Sequence, residues 1–155
     1  NGSKVSDLEP LAALTRLKIV SVSNAPIIDL QTMAKLTQLE EFYAENTQVT
    51  DLSPLARLPN LRWLWLTNTP ITDLTPLETV EQLEVLGVGE TQISDLTPLS
   101  KLGGLSKLYL YGTRVSDVSP LMNLTNLERL GLDRTDVKAD DIERLKQALP
   151  ACEIF

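Results

Sequence analysis

The sequence contains no histidine and a single cysteine. Those two absences exclude His-Cys zinc sites, Ser-His-Asp and Cys-His catalysis, haem ligation by His and any disulfide within the chain. Only carboxylate, Lys, Tyr or Ser chemistry is left for a catalyst. Positive charge is also scarce. Fourteen Lys plus Arg against 21 Asp plus Glu give a formal charge of −7, which argues against nucleic acid as a partner, because a phosphate backbone is held by clustered cations. No apolar run approaches the ~20 residues needed to cross a bilayer, and the first residues lack the basic and apolar regions of a signal peptide. Aromatics make up only 5% of 155 residues, so the places where they fall carry weight. The length suits one compact body or a short repeat array.

What the chain does have is period. Asp7, Asp29, Asp51, Asp73, Asp95 and Asp117 are spaced by 22 residues without slippage, and their surroundings recur in step. One unit reads D-L-T-P-L-x-x-x-x-x-L-x-x-L-x-L-x-x-T-x-I-T, and Asp51 to Thr72 is its clearest copy. Six full units run from Asp7 to Lys138. Lys4-Val5-Ser6 matches the end of a unit and Asn1-Gly2-Ser3 the three places before it, so the chain is expected to begin inside a repeat. Residues 1–138 are thus assigned to repeats and 139–155 to a C-terminal cap. In that cap Ile142, Leu145 and Leu149 mark an amphipathic helix, Asp140 and Glu143 have capping-box spacing, and LPACEIF falls in register as a seventh strand. Cys152 occupies a core Leu place there and reads as an inert buried thiol.

The string L-x-x-L-x-L-x-x-T-x-I resembles the leucine-rich repeat signature. Its 22-residue length and D-L-x-P-L segment are most similar to the bacterial internalin-type class, with close similarity to the phosphatase-regulator subfamily. The resemblance implies an α/β fold: a right-handed solenoid with a concave parallel sheet of about seven short strands, helical turns on the convex side, and a capping helix and strand. One departure stands out. The family's ladder-forming Asn place holds Ala25, Thr47, Thr69, Thr91, Thr113 and Thr135, so a hydroxyl ladder with one gap is expected.

Alternation within L-x-x-L-x-L sends Leu64 and Leu66 inward and the residue between them to the opposite face. Parallel strands at ~4.8 Å make a narrow sheet ~30 Å long. Pro10, Pro54, Pro76, Pro98 and Pro120 share one place, four of them directly after Ser or Thr, which suggests a hydroxyl N-cap with Pro in the first helical position. The Asp column reads as structural, each carboxylate accepting backbone N–H bonds, and neither a metal nor a cofactor is expected.

With core and turns set by the repeat, function is free to vary at the outward strand places. The central column is Ser21, Tyr43, Trp65, Gly87, Tyr109, Gly131, Glu153; two places earlier stand Ile19, Glu41, Trp63, Val85, Lys107, Arg129; two places later Ser23, Glu45, Thr67, Gly89, Tyr111, Asp133 and at the end Phe155. Both Trp and all three Tyr lie in these columns. Tyr43, Trp63, Trp65, Val85, Gly87, Gly89, Glu90, Tyr109 and Tyr111 are therefore the expected partner contacts, flanked by the charges of Glu41, Glu45, Arg62, Lys107, Arg129 and Arg134. Gly87 and Gly89 leave the fourth strand bare between aromatic walls, so a slot for one partner side chain is expected, with Glu84 and Glu90 beside it to attract Lys or Arg. Lys18, Glu40, Arg62 and Glu84 alternate in sign and are expected to form cross-strand ion pairs.

An open sheet face lacks the water-excluding pocket an enzyme needs, so no catalytic residues are assigned. The expected function is non-catalytic protein recognition, as the resemblance implies. Two contexts stay open: the recognition arm of a bacterial surface, secreted or host-delivered effector protein, or an intracellular scaffold docking on an enzyme. Carbohydrate binding by the same aromatics is a further alternative. An uncovered first repeat would also allow end-to-end self-association.

Overall fold

Every strand among the described residues is three residues or fewer, because the repeat allows only that much extended chain before a turn must carry it to the next coil. The computed structural model describes residues 6–155. The expected partial unit at the start lies in residues 1–5, outside the described residues, except for Ser6. The strands are β1 (Ile19–Ser21), β2 (Glu41–Tyr43), β3 (Trp63–Trp65), β4 (Val85–Gly87), β5 (Lys107–Tyr109), β6 (Arg129–Gly131) and β7 (Glu153–Ile154). They form one parallel sheet in sequence order. From β1 to β6 each residue pairs with the one 22 places on, as Trp63 with Val85 and Trp65 with Gly87. β7 is shifted by two: Arg129 pairs with Glu153 and Leu130 with Ile154, so the repeat register expected of LPACEIF does not hold there. The result is an α/β leucine-rich repeat solenoid, as the repeat implied.

The core is a column of stacked aliphatic side chains. Leu64, Leu66, Leu86, Val88, Leu108 and Leu110 are fully buried, as is Phe42, the one aromatic spent inside. Between strands the chain returns through short 3-10 turns such as Ser53–Arg57 and Thr75–Thr79. The expected hydroxyl N-cap does not form. Leu52 and Leu74 hold the cap positions and make no side-chain cap bond, while Ser53 and Thr75 are already the first residues of the turn. The capping is done by Asp. Asp51 Oδ1 accepts the Ser53 N–H at 2.8 Å, and Asp73, Asp95 and Asp117 do the same two residues ahead at 2.8 Å. A carboxylate on a one-carbon stem reaches an N–H two residues on, and this is the structural role assigned to the Asp column.

The hydroxyl ladder is also absent. Thr47, Thr69, Thr91, Thr113 and Thr135 each donate to the carbonyl three residues back in their own unit, at 2.6–2.8 Å. A Thr hydroxyl is satisfied by that one local acceptor and does not extend to the next coil. An amide ladder exists one place earlier instead: Asn46 Nδ2 donates to Asn24 Oδ1 at 3.0 Å and Asn68 Nδ2 to Asn46 Oδ1 at 2.8 Å. These Asn residues have φ of 62°, 56° and 55°, the left-handed conformation that Asn tolerates and β-branched residues avoid.

At the far end α1 (Ala139–Ala148) is the amphipathic helix, with Leu145 fully buried and Leu149 following it into the core. Its capping box does not form. Lys138 is the N-cap without a side-chain bond, and Asp140 and Asp141 sit inside the first turn, where their charge favours the positive end of the helix. Of LPACEIF only Glu153–Ile154 is strand. Cys152 is half-buried rather than buried, and desolvation, with the Glu153 charge second, pushes its thiol up toward the neutral form.

Candidate functional site

The outward columns stand together on one face of the sheet because the register holds from β1 to β6. At β7 the shift of two sets Glu153 beside Arg129 and gives the central place expected of Glu153 to Phe155. On β3, Trp63 is 41% exposed and Trp65 half-buried; Tyr43, Tyr109 and Tyr111 are half-buried around them. Val85, Gly87 and Gly89 are buried beneath, so these three form a floor rather than contacts.

The expected slot over the fourth strand is closed. Trp65 and Tyr109 reach toward each other from either side and stack, with ring centroids 5.2 Å apart and planes at 26°. Gly87 makes this possible: a Cβ there would fall 2.3 Å from Trp65 Cε3, well inside van der Waals contact with the ring. Gly89 lies under Tyr111 in the same way, its Cβ position being 2.6 Å from Tyr111 Cε1. Rings that stood upright would expose both faces to water, whereas laid over glycine backbone each buries one face and still shows the other. The same arrangement recurs one unit on, where Tyr109 and Phe155 meet at 6.4 Å and 58° above Gly131. Aromatic and glycine thus alternate along β3 to β7 as a ribbon ending at Phe155, which is 42% exposed. Gly131 in the central column was the signal for that last step.

The cation-attracting role expected of Glu84 and Glu90 is taken up inside the chain. Arg62 pairs with Glu84, and Arg134 Nη2 lies 2.5 Å from Glu90 Oε1. The Glu84 hydrogen bond and charge in turn hold the Arg62 guanidinium above its usual range. Lys18 pairs with Glu40 at 2.7 Å, completing the cross-strand ion pairs expected of that column. Arg129 pairs with Glu153 at 3.1 Å and lies over the Phe155 ring, its guanidinium carbon 5.3 Å from the centroid.

On β2, Tyr43 donates its hydroxyl to Glu41 Oε2 at 2.7 Å. Burial first, then that hydrogen bond and the charges of Glu41 and Glu45, push the phenol up to about 12. Beside the ribbon the Thr67 hydroxyl is buried without a hydrogen-bond partner. Among the described residues no group of three or more acidic, Cys or His side chains is placed to hold a metal ion.

A family description, leucine-rich repeats in two copies, matches residues 37–79 and 59–101. An internalin (inlF) of Listeria monocytogenes shares the fold with a TM-score of 0.91 at 31% identity, over 97% of this chain and 44% of that one. A second internalin of the same organism gives 0.87 at 31% identity, over 99% of this chain and 68% of that one. The chain belongs to the leucine-rich repeat family. Within it the chain is internalin-like, and proteins of this kind are typically protein-binding modules. A leucine-rich repeat protein of Leptospira interrogans, 18% identical, shares the fold with a TM-score of 0.73 over 97% of this chain and 51% of its own. No curated protein matches. This internalin-like chain spans less than half the length of the first of these relatives.

Proposed function

We propose that this chain is a non-catalytic module that binds a protein partner on the aromatic face formed by Tyr43, Trp63, Trp65, Tyr109 and Tyr111. The Trp65–Tyr109 stack over Gly87 carries the proposal. It sets apolar rings at the centre of an otherwise charged surface and holds them in one conformation, so little side-chain entropy is lost when a partner covers them. The expected setting is a bacterial surface, secreted or host-delivered protein, which the two Listeria internalins support by likeness alone. Docking on an intracellular enzyme is the alternative setting.

Flat, exposed ring faces also suit stacking against a sugar, and this favours carbohydrate as the second reading. Two variants separate the possibilities. Trp65→Ala removes the stack and Gly87→Trp displaces it, and neither touches the core. Loss of the same captured protein by both variants, each still unfolding in one cooperative transition, supports the protein reading. Recovery of the same partner by both sinks it, and glycan-array binding that depends on Tyr109 favours the sugar.

We also infer association of copies end to end, for which Leu14, 50% exposed on the first described unit, offers apolar surface. Sedimentation that stays monomeric across a wide concentration range would remove this idea.

A further inference from the structure

The charges on the aromatic face are not evenly compensated. Most ionic side chains near it are matched within the protein: Lys18 with Glu40, Arg62 with Glu84, Glu90 with Arg134, Arg129 with Glu153. Glu41, Glu45, Lys107 and Asp133 are the exceptions, for among the described residues none of the four takes part in an ion pair. Asp133 is exposed, whereas Glu41, Glu45 and Lys107 are half-buried, so each of these three charges is partly withdrawn from water and gains nothing from a counter-charge. Glu41 on β2 and Glu45 just beyond it bracket Tyr43, and among the described residues their carboxylates accept hydrogen bonds from the Tyr43 and Ser23 hydroxyls alone. Lys107 stands on β5 in register with Val85 on one side and Arg129 on the other. Among the carboxylates of the coils beyond it on either side, Glu84 is held by Arg62 and Glu153 by Arg129, while the exposed Glu128 and Asp133 are in no ion pair.

The half-buried uncompensated charges are opposite in sign and lie on opposite sides of the stacked rings. β2 and β5 are three strand spacings apart, ~14 Å, with Trp63 and Trp65 on β3 and the glycine floor on β4 between them. An extended peptide advances ~3.3 Å per residue and presents alternate side chains to one face, so its residues i, i+2 and i+4 span ~13 Å and all point the same way. Resting on the assignment of this face to a protein partner, we propose that the occupant is an extended segment of that partner lying across the strands. It places a Lys or Arg over Glu41 and Glu45, an apolar side chain on the Trp63–Trp65–Tyr109 rings, and an Asp or Glu over Lys107, with one residue between each. The aromatic centre supplies contact, and the two ends set polarity and reject segments of the wrong charge order.

Selection from a library of random dodecapeptides displayed on phage, against the immobilised chain and its variants, tests this. The parent is expected to enrich the order cation, spacer, apolar, spacer, carboxylate, or its reverse, in peptides that Trp65→Ala no longer binds. Lys107→Glu is expected to select a cation in place of the carboxylate and to weaken parent-selected peptides about tenfold at low salt, with the difference shrinking as salt is added. Glu41→Lys is expected to do the converse at the other end. Peptides that need Trp65 but show no charge order, or that Lys107→Glu binds unchanged, overturn this inference and leave the protein-binding face standing. An absence of enriched peptides also overturns it. Peptides indifferent to Trp65 as well as to Lys107 overturn both.

Discussion

Arg134 reaches Glu90 at 2.5 Å across the top of Gly112, joining two coils that are not neighbours in the stack. All three residues occupy the column that begins with Asn24, Asn46 and Asn68, and all share its positive φ: 55° at Glu90, 66° at Gly112 and 57° at Arg134. The amide ladder of the first units is thus replaced by an ion pair two units long. Gly112 is needed for both reasons that glycine can be needed. Its φ is left-handed, and a Cβ would stand 2.7 Å from Glu90 Oε2.

Two variants decide whether backbone or charge matters more at this rim. Gly112→Ala is expected to destabilise by about 1–2 kcal/mol, from left-handed strain and displacement of the carboxylate. Arg134→Ala, which removes only an exposed pair, should cost at most about 1 kcal/mol. Urea melts of both would measure this, and a larger loss for Arg134→Ala would show that the ion pair dominates.

Core and face should respond differently to truncation. Leu64 is fully buried while its neighbour Trp65 lies on the outer face. Leu64→Ala is expected to cost about 2–5 kcal/mol, through lost transfer energy and the cavity left behind. Trp65→Ala should cost about 1 kcal/mol, much of it the stack with Tyr109. Thermal unfolding of the pair is the check, and similar losses would mean that Trp65 serves the fold.

The Asp column makes stability acid-sensitive. Hydrogen bonds from the Thr75 and Thr97 side chains, then their backbones, hold Asp73 and Asp95 below the ordinary 3.8; for Asp117 the Ser119 backbone comes first. A carboxyl group lowered by folding stabilises the native state above its unfolded value, and that contribution is lost as pH falls through the lowered one. Denaturation midpoints should therefore decline as pH drops below about 4. Asp95→Asn, which keeps the acceptor oxygen but cannot ionise, should flatten its share of the decline.

At the alkaline end Tyr43 works the other way. Its phenol ionises at about 12 in the folded chain. The unfolded chain gives up that proton first, so the stabilisation is intact below the ordinary value of 10.0 and is lost as pH rises from there through about 12. Ultraviolet titration of the phenolate band should resolve this late step. Glu41→Gln should bring it part of the way back, since burial is the larger cause and remains.

Much of this molecule was readable from spacing alone. A 22-residue period with Leu at alternating places dictates one strand per unit and a core of stacked Leu, because no other arrangement buries every copy of the same side chain. Side-chain direction was not readable. The bare glycines at 87 and 89 showed that space exists on the fourth strand, but Trp65, Tyr109 and Tyr111 fill it, since a large ring gains more by covering backbone than by standing in water. The ladder was misplaced for a related reason. Thr at 47 and 69 was read by its place in the repeat, whereas its short hydroxyl bonds locally and the amides one place earlier make the connection between coils. The Asn spacing at 24, 46 and 68 held that signal.

Trp63 and Trp65 are the only tryptophans in the chain, and both lie on the aromatic face, so intrinsic fluorescence reports on that face and nothing else. Titration with any partner or selected peptide whose binding is established by calorimetry should shift tryptophan emission to the blue and saturate at the calorimetric ratio, as the rings leave water. Binding by calorimetry with unchanged tryptophan emission would place the partner elsewhere and contradict recognition through the aromatic face.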